Sequence, residues 1–177
     1  MKSLMIPPFL REGDRIEIIT PASPIEEGAV HSAVRMLEES GFRVTLGRHV
    51  FARSGPFAGS ESDRLHDIQR ATDDPDVKAI LCSRGGYGMS RIVDRIDFSA
   101  LKKQPKWYAG YSDITSLHLW LSRVCGIASL HAEMPLNYSN PEYLPACNDT
   151  IVRAPRGEAE PVRWMPSHED QFAAEGL

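Results

Sequence analysis

The residues best suited to chemistry lie in one stretch, Lys106 to Ser116, reading KWYAGYSDITS. Trp107, Tyr108 and Ala109 read as a short buried strand, Gly110 as a sharp turn, and Ser112 as the residue at the turn with its hydroxyl exposed. A helix then opens at Asp113 and Thr115, with apolar residues recurring at Ile114, Leu117, Leu121 and Val124. Strand, turn, serine and helix start are the parts of a nucleophile elbow. The backbone N–H groups of the helix start face the same way as the hydroxyl, where an oxyanion would form. A plainer role fits the same residues: Ser112 or Asp113 as the N-cap of the helix, the commoner use of these residue types there.

A second turn, Ser83-Arg-Gly-Gly-Tyr-Gly88, also follows a predicted strand. Glycines there let the backbone approach a ligand and turn its N–H groups toward an anion. Three readings stand: a phosphate cradle, half of an oxyanion hole, or a tight turn with no ligand. Neither the dinucleotide G-x-G-x-x-G pattern nor the P-loop pattern is matched. In a parallel sheet, two turns after successive strands share the rim where ligands bind. A serine nucleophile needs a pair of N–H donors. Asp113 supplies one on this reading, and Gly86, less readily Gly85, the other.

The elements that must position these turns follow an α/β order. Arg15 to Thr20 predicts a strand, and the small-residue turn Thr20-Pro-Ala-Ser-Pro24 leads into a helix from about Ile25 to Ser40. Ala29, Val30, Ala33, Val34 and Leu37 share its inner face, and Gly41 stops it. Phe42 to Leu46 predicts a second strand, followed by a Gly/Ser/Pro-rich loop. A helix starting at Ser60-Glu-Ser-Asp63 turns Leu65, Ile68 and Ala71 inward and Asp63, Arg64 and Asp67 outward, ending at Asp73-Asp-Pro75. Val77 to Cys82 predicts the third strand, and Met89 to Val93 a short helix. The helix from Ile114 to Val124 stops at Gly126, and Ile127 to Leu130 predicts a fifth strand ending at His131. The expected fold class is α/β, a Rossmann-like parallel sheet flanked by helices. Residues 1–140 are expected to form the nucleophile-bearing domain. Residues 141–177 read as a Pro-rich edge and linker with one strand-like piece, Val162 to Met165.

Composition excludes several classes. The 177 residues are 42% hydrophobic, enough for a core, and carry a net charge of −4, which argues against a nucleic-acid partner. Cys82, Cys125 and Cys147 have neither metal-ligand nor disulfide-framework spacing. No metal or other cofactor is expected. The opening MKSLMIPPFL has too short an apolar run for a signal peptide, and no run approaches membrane-spanning length. No membrane partner is expected, and a cytoplasmic setting is.

Three segments carry a family resemblance: RGGYGMSRIVDRID at Arg84 to Asp97, KWYAGYSDITSLH at Lys106 to His118, and LHAEMP at Leu130 to Pro135. Together they resemble the LD-carboxypeptidases, serine peptidases of the muramoyltetrapeptide carboxypeptidase type, to which the microcin-C immunity protein is related. Gly13-Asp14-x-Ile16 and Pro21-Ala-Ser-Pro24 fit the family's opening, so the resemblance runs to about residue 140. It implies metal-free removal of a terminal D-alanine from murein tetrapeptides. It assigns Ser112 as nucleophile and the N–H groups of Gly86 and Asp113 as oxyanion donors, and it implies a homodimer for the full-length enzyme. Two other activities stay open. One is hydrolysis of a peptide–nucleotide antibiotic, and the other is a non-catalytic nucleotide- or anion-binding role.

The family completes its triad with a Glu and a His in a C-terminal domain that begins with a glycine-rich segment. This sequence ends at Ala174-Glu-Gly-Leu177, where that segment is expected to start. The chain is therefore expected to be the N-terminal domain of a two-domain enzyme, inactive alone. Locally, His118 lies six residues beyond Ser112, well round the helix and out of reach of the hydroxyl. His131, with Glu133 near it, is the better placed histidine, and it fits an ordinary rim histidine as well. His31, His49, His66 and His168 read as surface or loop residues. Arg84 suits a bidentate hold on a substrate carboxylate, or a surface pair with Asp94 or Asp97. Gly85 and Tyr87 complete the expected substrate-binding set, although Tyr87 fits packing on the sheet edge equally.

Overall fold

The computed structural model describes residues 4–158. Five parallel strands form one sheet in the order β2-β1-β3-β4-β5. They are β1 (Arg15–Ile19), β2 (Arg43–Leu46), β3 (Val77–Cys82), β4 (Trp107–Gly110) and β5 (Leu130–His131). Two long helices connect the first three strands, α1 (Glu27–Glu39) and α2 (Glu61–Asp73). The order reverses between β1 and β3, so the crevice of the sheet opens at their carboxyl ends. The loop after β1 and the glycine turn after β3 meet there.

Both faces of the sheet are covered, which is why its strands are apolar on both sides. Ile16, Ile18, Ala79, Leu81, Trp107 and Ala109 face α1 and its Val30, Ala33 and Leu37. Ile19, Val77, Ile80, Cys82 and Tyr108 face α2 and the segment beyond it, with Ile68, Ala71, Met89, Ile92 and Leu117. Glu17 alternates onto this second face and is wholly buried, where Arg70 of α2 and Thr45 bind its carboxylate. Burial raises its pKa, and Arg70 opposes the shift.

Helix α2 begins with a reciprocal cap. Ser60 Oγ accepts the Asp63 N–H at 3.1 Å, and Asp63 accepts the Ser60 N–H at 2.8 Å. At its far end the buried Lys106 ammonium donates to the Ala71 and Asp74 carbonyls, satisfying acceptors that the helix leaves open. The expectation that Arg64 and Asp67 point outward is corrected: they are only 2% and 3% exposed. Both stand four residues or one turn from Ile68 and Ala71, on the inward stripe, and each is buried because its polar atoms find partners described below.

Three further expectations change in detail. The short helix from Met89 is two 3-10 turns, Met89–Arg91 and Val93–Arg95. The helix read from Ile114 to Val124 is divided. A 3-10 turn spans Ser112–Ile114, α3 covers Thr115–Trp120, and a π turn runs through Leu121–Cys125 to Gly126, whose φ is +69°. The fifth strand is only Leu130–His131, because Ile127 bridges to Met5 instead.

The segment expected to be a Pro-rich edge is helical and packed in its first part. Helix α4 (Leu144–Cys147) continues as a π turn through Arg153, and Cys147, Ile151 and Val152 join the core on the α1 side. The strand-like piece Val162 to Met165 lies outside the described residues. No described helix is long and apolar enough to cross a membrane.

Candidate active site

Ser112 stands where the chain leaves β4, exposed, with φ +63°. It is the one non-glycine residue in the left-handed region among the described residues. An L-residue there is strained by about 1–2 kcal/mol, and such strain is found where surrounding structure holds a residue in place for use. The elbow is tight on all sides. A Cβ on Gly110 would stand 3.0 Å from Ile114 Cγ2 and 3.2 Å from Cys82 Cβ. A Cβ on Gly85 would stand 3.0 Å from Ser112 Cβ, 3.2 Å from the Tyr111 carbonyl and 3.3 Å from the Asp113 nitrogen. Gly85 is thus the point where the glycine turn rests on the elbow. It is buried, whereas Gly86 beside it is exposed.

Hydrogen bonds fix the glycine turn from two directions. From the β1 loop, the Ser23 N–H donates to the Gly85 carbonyl at 3.1 Å, and Ser23 Oγ accepts the Tyr87 N–H at 3.3 Å. Thr20 and Ser83 share a buried hydroxyl–hydroxyl bond of 2.8 Å. From the elbow, the Asp113 carboxylate accepts the Met89 N–H at 2.8 Å. Gly86 takes φ +101°, and any side chain on it would strike Ser23. The N–H groups of Gly86 and Asp113 donate to no group among the described residues. Both N–H groups are therefore left without an acceptor among the described residues, near the exposed serine at the elbow.

Arg64 braces the same turn from below. Its Nη1 donates to the Pro21 carbonyl at 3.0 Å and the Gly88 carbonyl at 2.8 Å, and its guanidinium lies over Phe57 at 5.0 Å. Burial lowers its pKa. Arg84 is half-buried and pairs with neither Asp94 nor Asp97: its Nη1 donates to the Pro24 carbonyl at 2.9 Å. Tyr87 is 54% exposed and packs on Phe57 at the rim, ring centroids 5.9 Å apart.

The local histidines are accounted for. His118 Nε2 donates to the Gly110 carbonyl at 2.9 Å, so Nδ1 is the acceptor for Ser129 Oγ at 2.8 Å. Burial lowers its pKa, and this neutral, doubly bonded ring serves the elbow's structure. His131 is exposed, 6.0 Å from the Tyr111 ring and 6.3 Å from that of His118. Among the described residues no hydrogen bond joins either histidine to Ser112.

The comparison with known proteins decides the family. Residues 16–132 match the LD-carboxypeptidase N-terminal domain of peptidase family S66. The chain belongs to the LD-carboxypeptidase family. It is 41% identical over 128 residues to a probable murein peptide carboxypeptidase of Bacillus subtilis, covering 72% of this chain and 40% of that one. Among solved structures, a MccF-like protein from Bacillus anthracis superposes with a TM-score of 0.71 at 31% identity, covering 76% of this chain and 42% of that one. A muramoyltetrapeptide carboxypeptidase from Oxalobacter formigenes gives 0.62 at 30% identity, covering 68% and 40%. The chain thus spans less than half the length of these relatives.

Within this LD-carboxypeptidase domain, sequence reasoning missed the residues that hold the two turns together. Ser23, Arg64 and the Asp113 side chain act across the sheet, on partners 24 to 64 residues away. The one available signal was the position of Arg64 on the apolar stripe of α2. Folding also gathers His49, His66 and Asp67, whose spacing along the chain suggested no ligand set.

Proposed function

We propose that this chain carries the nucleophile of a serine LD-carboxypeptidase that removes the terminal D-alanine from murein tetrapeptides. Ser112 attacks the scissile carbonyl, and the N–H groups of Gly86 and Asp113 receive the oxyanion. Arg84 binds the substrate's free carboxylate with the guanidinium nitrogens not engaged by Pro24, and Tyr87 lines the rim beside it. The observation that carries this reading is the left-handed φ of Ser112, with the N–H groups of Gly86 and Asp113 donating to no group among the described residues. A helix cap has no need of that strain, and Ser112 caps nothing here: the residue at the cap position is Tyr111, which makes no side-chain cap bond. On this reading the base and its orienting carboxylate come from a following domain. A cytoplasmic homodimer goes with the same reading.

Hydrolysis of a peptide–nucleotide antibiotic is the second reading, supported by the fit to the MccF-like protein. The test uses the protein that carries this chain. A fluorophosphonate probe is expected to label Ser112, located by peptide mapping, and Ser112→Ala to abolish both labelling and D-alanine release from a tetrapeptide. Labelling that survives Ser112→Ala, with tight nucleotide binding intact, sinks the nucleophile assignment. Turnover of an aminoacyl sulfamoyl nucleotide without turnover of tetrapeptide favours the second reading.

A further inference from the structure

Outside the rim, at the β2 edge of the sheet, two histidines converge on one carboxylate oxygen. His49 Nδ1 lies 2.9 Å from Asp67 Oδ1, and His66 Nδ1 lies 3.2 Å from the same atom. Asp67 is almost wholly buried, and its other oxygen accepts the His49 N–H at 2.7 Å, which fixes the carboxylate. His49 Nε2 in turn faces Asp63 Oδ1 at 3.6 Å. Both ring nitrogens of His49 therefore face carboxylate oxygens. A neutral imidazole has one N–H, so it can satisfy only one of them. A cation bound at His49 Nδ1 would leave the ring's single N–H on Nε2, on the side of Asp63. Among the described residues neither carboxylate is paired with a Lys or Arg, so two negative charges and two imidazoles stand together.

We propose that His49, His66 and Asp67 form a binding site for one divalent transition-metal ion of the zinc type. Zinc bonds of about 2.0–2.2 Å to imidazole and carboxylate put tetrahedral ligand atoms about 3.3 Å apart. The observed spacings of 2.9 and 3.2 Å are close to that edge, and the ligand atoms all lie within 4.8 Å of one another. With Nδ1 of each ring on the ion, the protons sit on Nε2. The His49 Nε2–H then points at Asp63, the carboxylate–histidine–metal arrangement that orients ligating imidazoles. The half-exposed His66 ring leaves the ion a path from solvent. Such an ion would fasten the loop after β2 to α2, one helical turn from Arg64. It would join two elements apart from the glycine turn and elbow, and so would brace the fold rather than act on Ser112.

The test uses the tag-free 177-residue chain stripped with chelator. Calorimetric titration with Zn²⁺ is expected to show one ion per chain. Co²⁺ is expected to give the visible ligand-field bands of a four- or five-coordinate site. His66→Ala, at a half-exposed position that the fold tolerates, is expected to weaken binding by at least about tenfold, and His31→Ala to leave it unchanged. Zn²⁺ is expected to raise the thermal midpoint of wild type and not of His66→Ala. The proposal is overturned if no zinc binds. It is equally overturned if zinc uptake survives both His49→Ala and His66→Ala.

Discussion

Replacing Ser112 with glycine is expected to make the chain more stable, although it removes the residue on which the proposed reaction depends. The φ of +63° costs an L-residue about 1–2 kcal/mol relative to glycine. Against this, glycine gives the unfolded chain more freedom, at about 0.5–1 kcal/mol. The exposed hydroxyl takes no stabilising bond with it, since the side chain caps nothing. The balance is about 0.5–1 kcal/mol of added stability, or roughly 1–4 °C in midpoint for a chain of this size. Ser112→Ala is the control. It removes the same hydroxyl, keeps Cβ and therefore the strain, and is expected within about 0.5 kcal/mol of wild type. Urea unfolding of the three proteins, followed by far-UV circular dichroism, measures the order. If Ser112→Gly unfolds at or below the midpoint of Ser112→Ala, the serine is not strained in this setting. Ser112 is then not held in a strained conformation for chemistry.

Two further outcomes follow from neighbouring contacts. Gly85→Ala is expected to cost about 1–3 kcal/mol as an overpacking change and to abolish probe labelling of Ser112, because two of the three atoms it meets are elbow backbone. Ser112→Gly removes the third, Ser112 Cβ at 3.0 Å, so in a double-mutant cycle the pair is expected to be less destabilised than the sum of the singles; strict additivity contradicts this contact. Lys106 predicts a pH dependence: burial lowers its pKa from 10.5 to about 8. Between these values the unfolded chain holds the proton and the folded one does not, so stability rises with pH from about 8 toward 10.5 and this contribution is lost as pH falls through 8. Relative to Lys106→Met, wild type is expected to gain up to about 1.4 kcal/mol per pH unit in that window, read from urea midpoints; parallel profiles refute the shift.

What the sequence made legible, and what it hid, divides along the range of the forces involved. β1, α1, α2, β3 and β4 announce themselves because period, caps and stop residues act within a few positions, as in the Ser60–Asp63 cap. The elbow was legible for the same reason: strand, glycine and serine lie within the six residues Trp107 to Ser112. Arg64 and Asp67 carry a residue type that suggests exposure at positions on the inward face of α2. A charged side chain on an apolar stripe is buried only when distant groups satisfy it, and those groups are the Pro21 and Gly88 carbonyls for one and the His49 and His66 rings for the other. No local pattern records such partners. The same holds for β5, where a bridge from Met5 takes Ile127 out of the strand. The consequence for the site is specific. Ser112 is positioned by local chain geometry, but the glycine turn beside it is positioned by bonds that cross from the β1 loop, the elbow and α2. The elbow serine can therefore be found from sequence, whereas the arrangement of the glycine turn around it exists only once the sheet has formed.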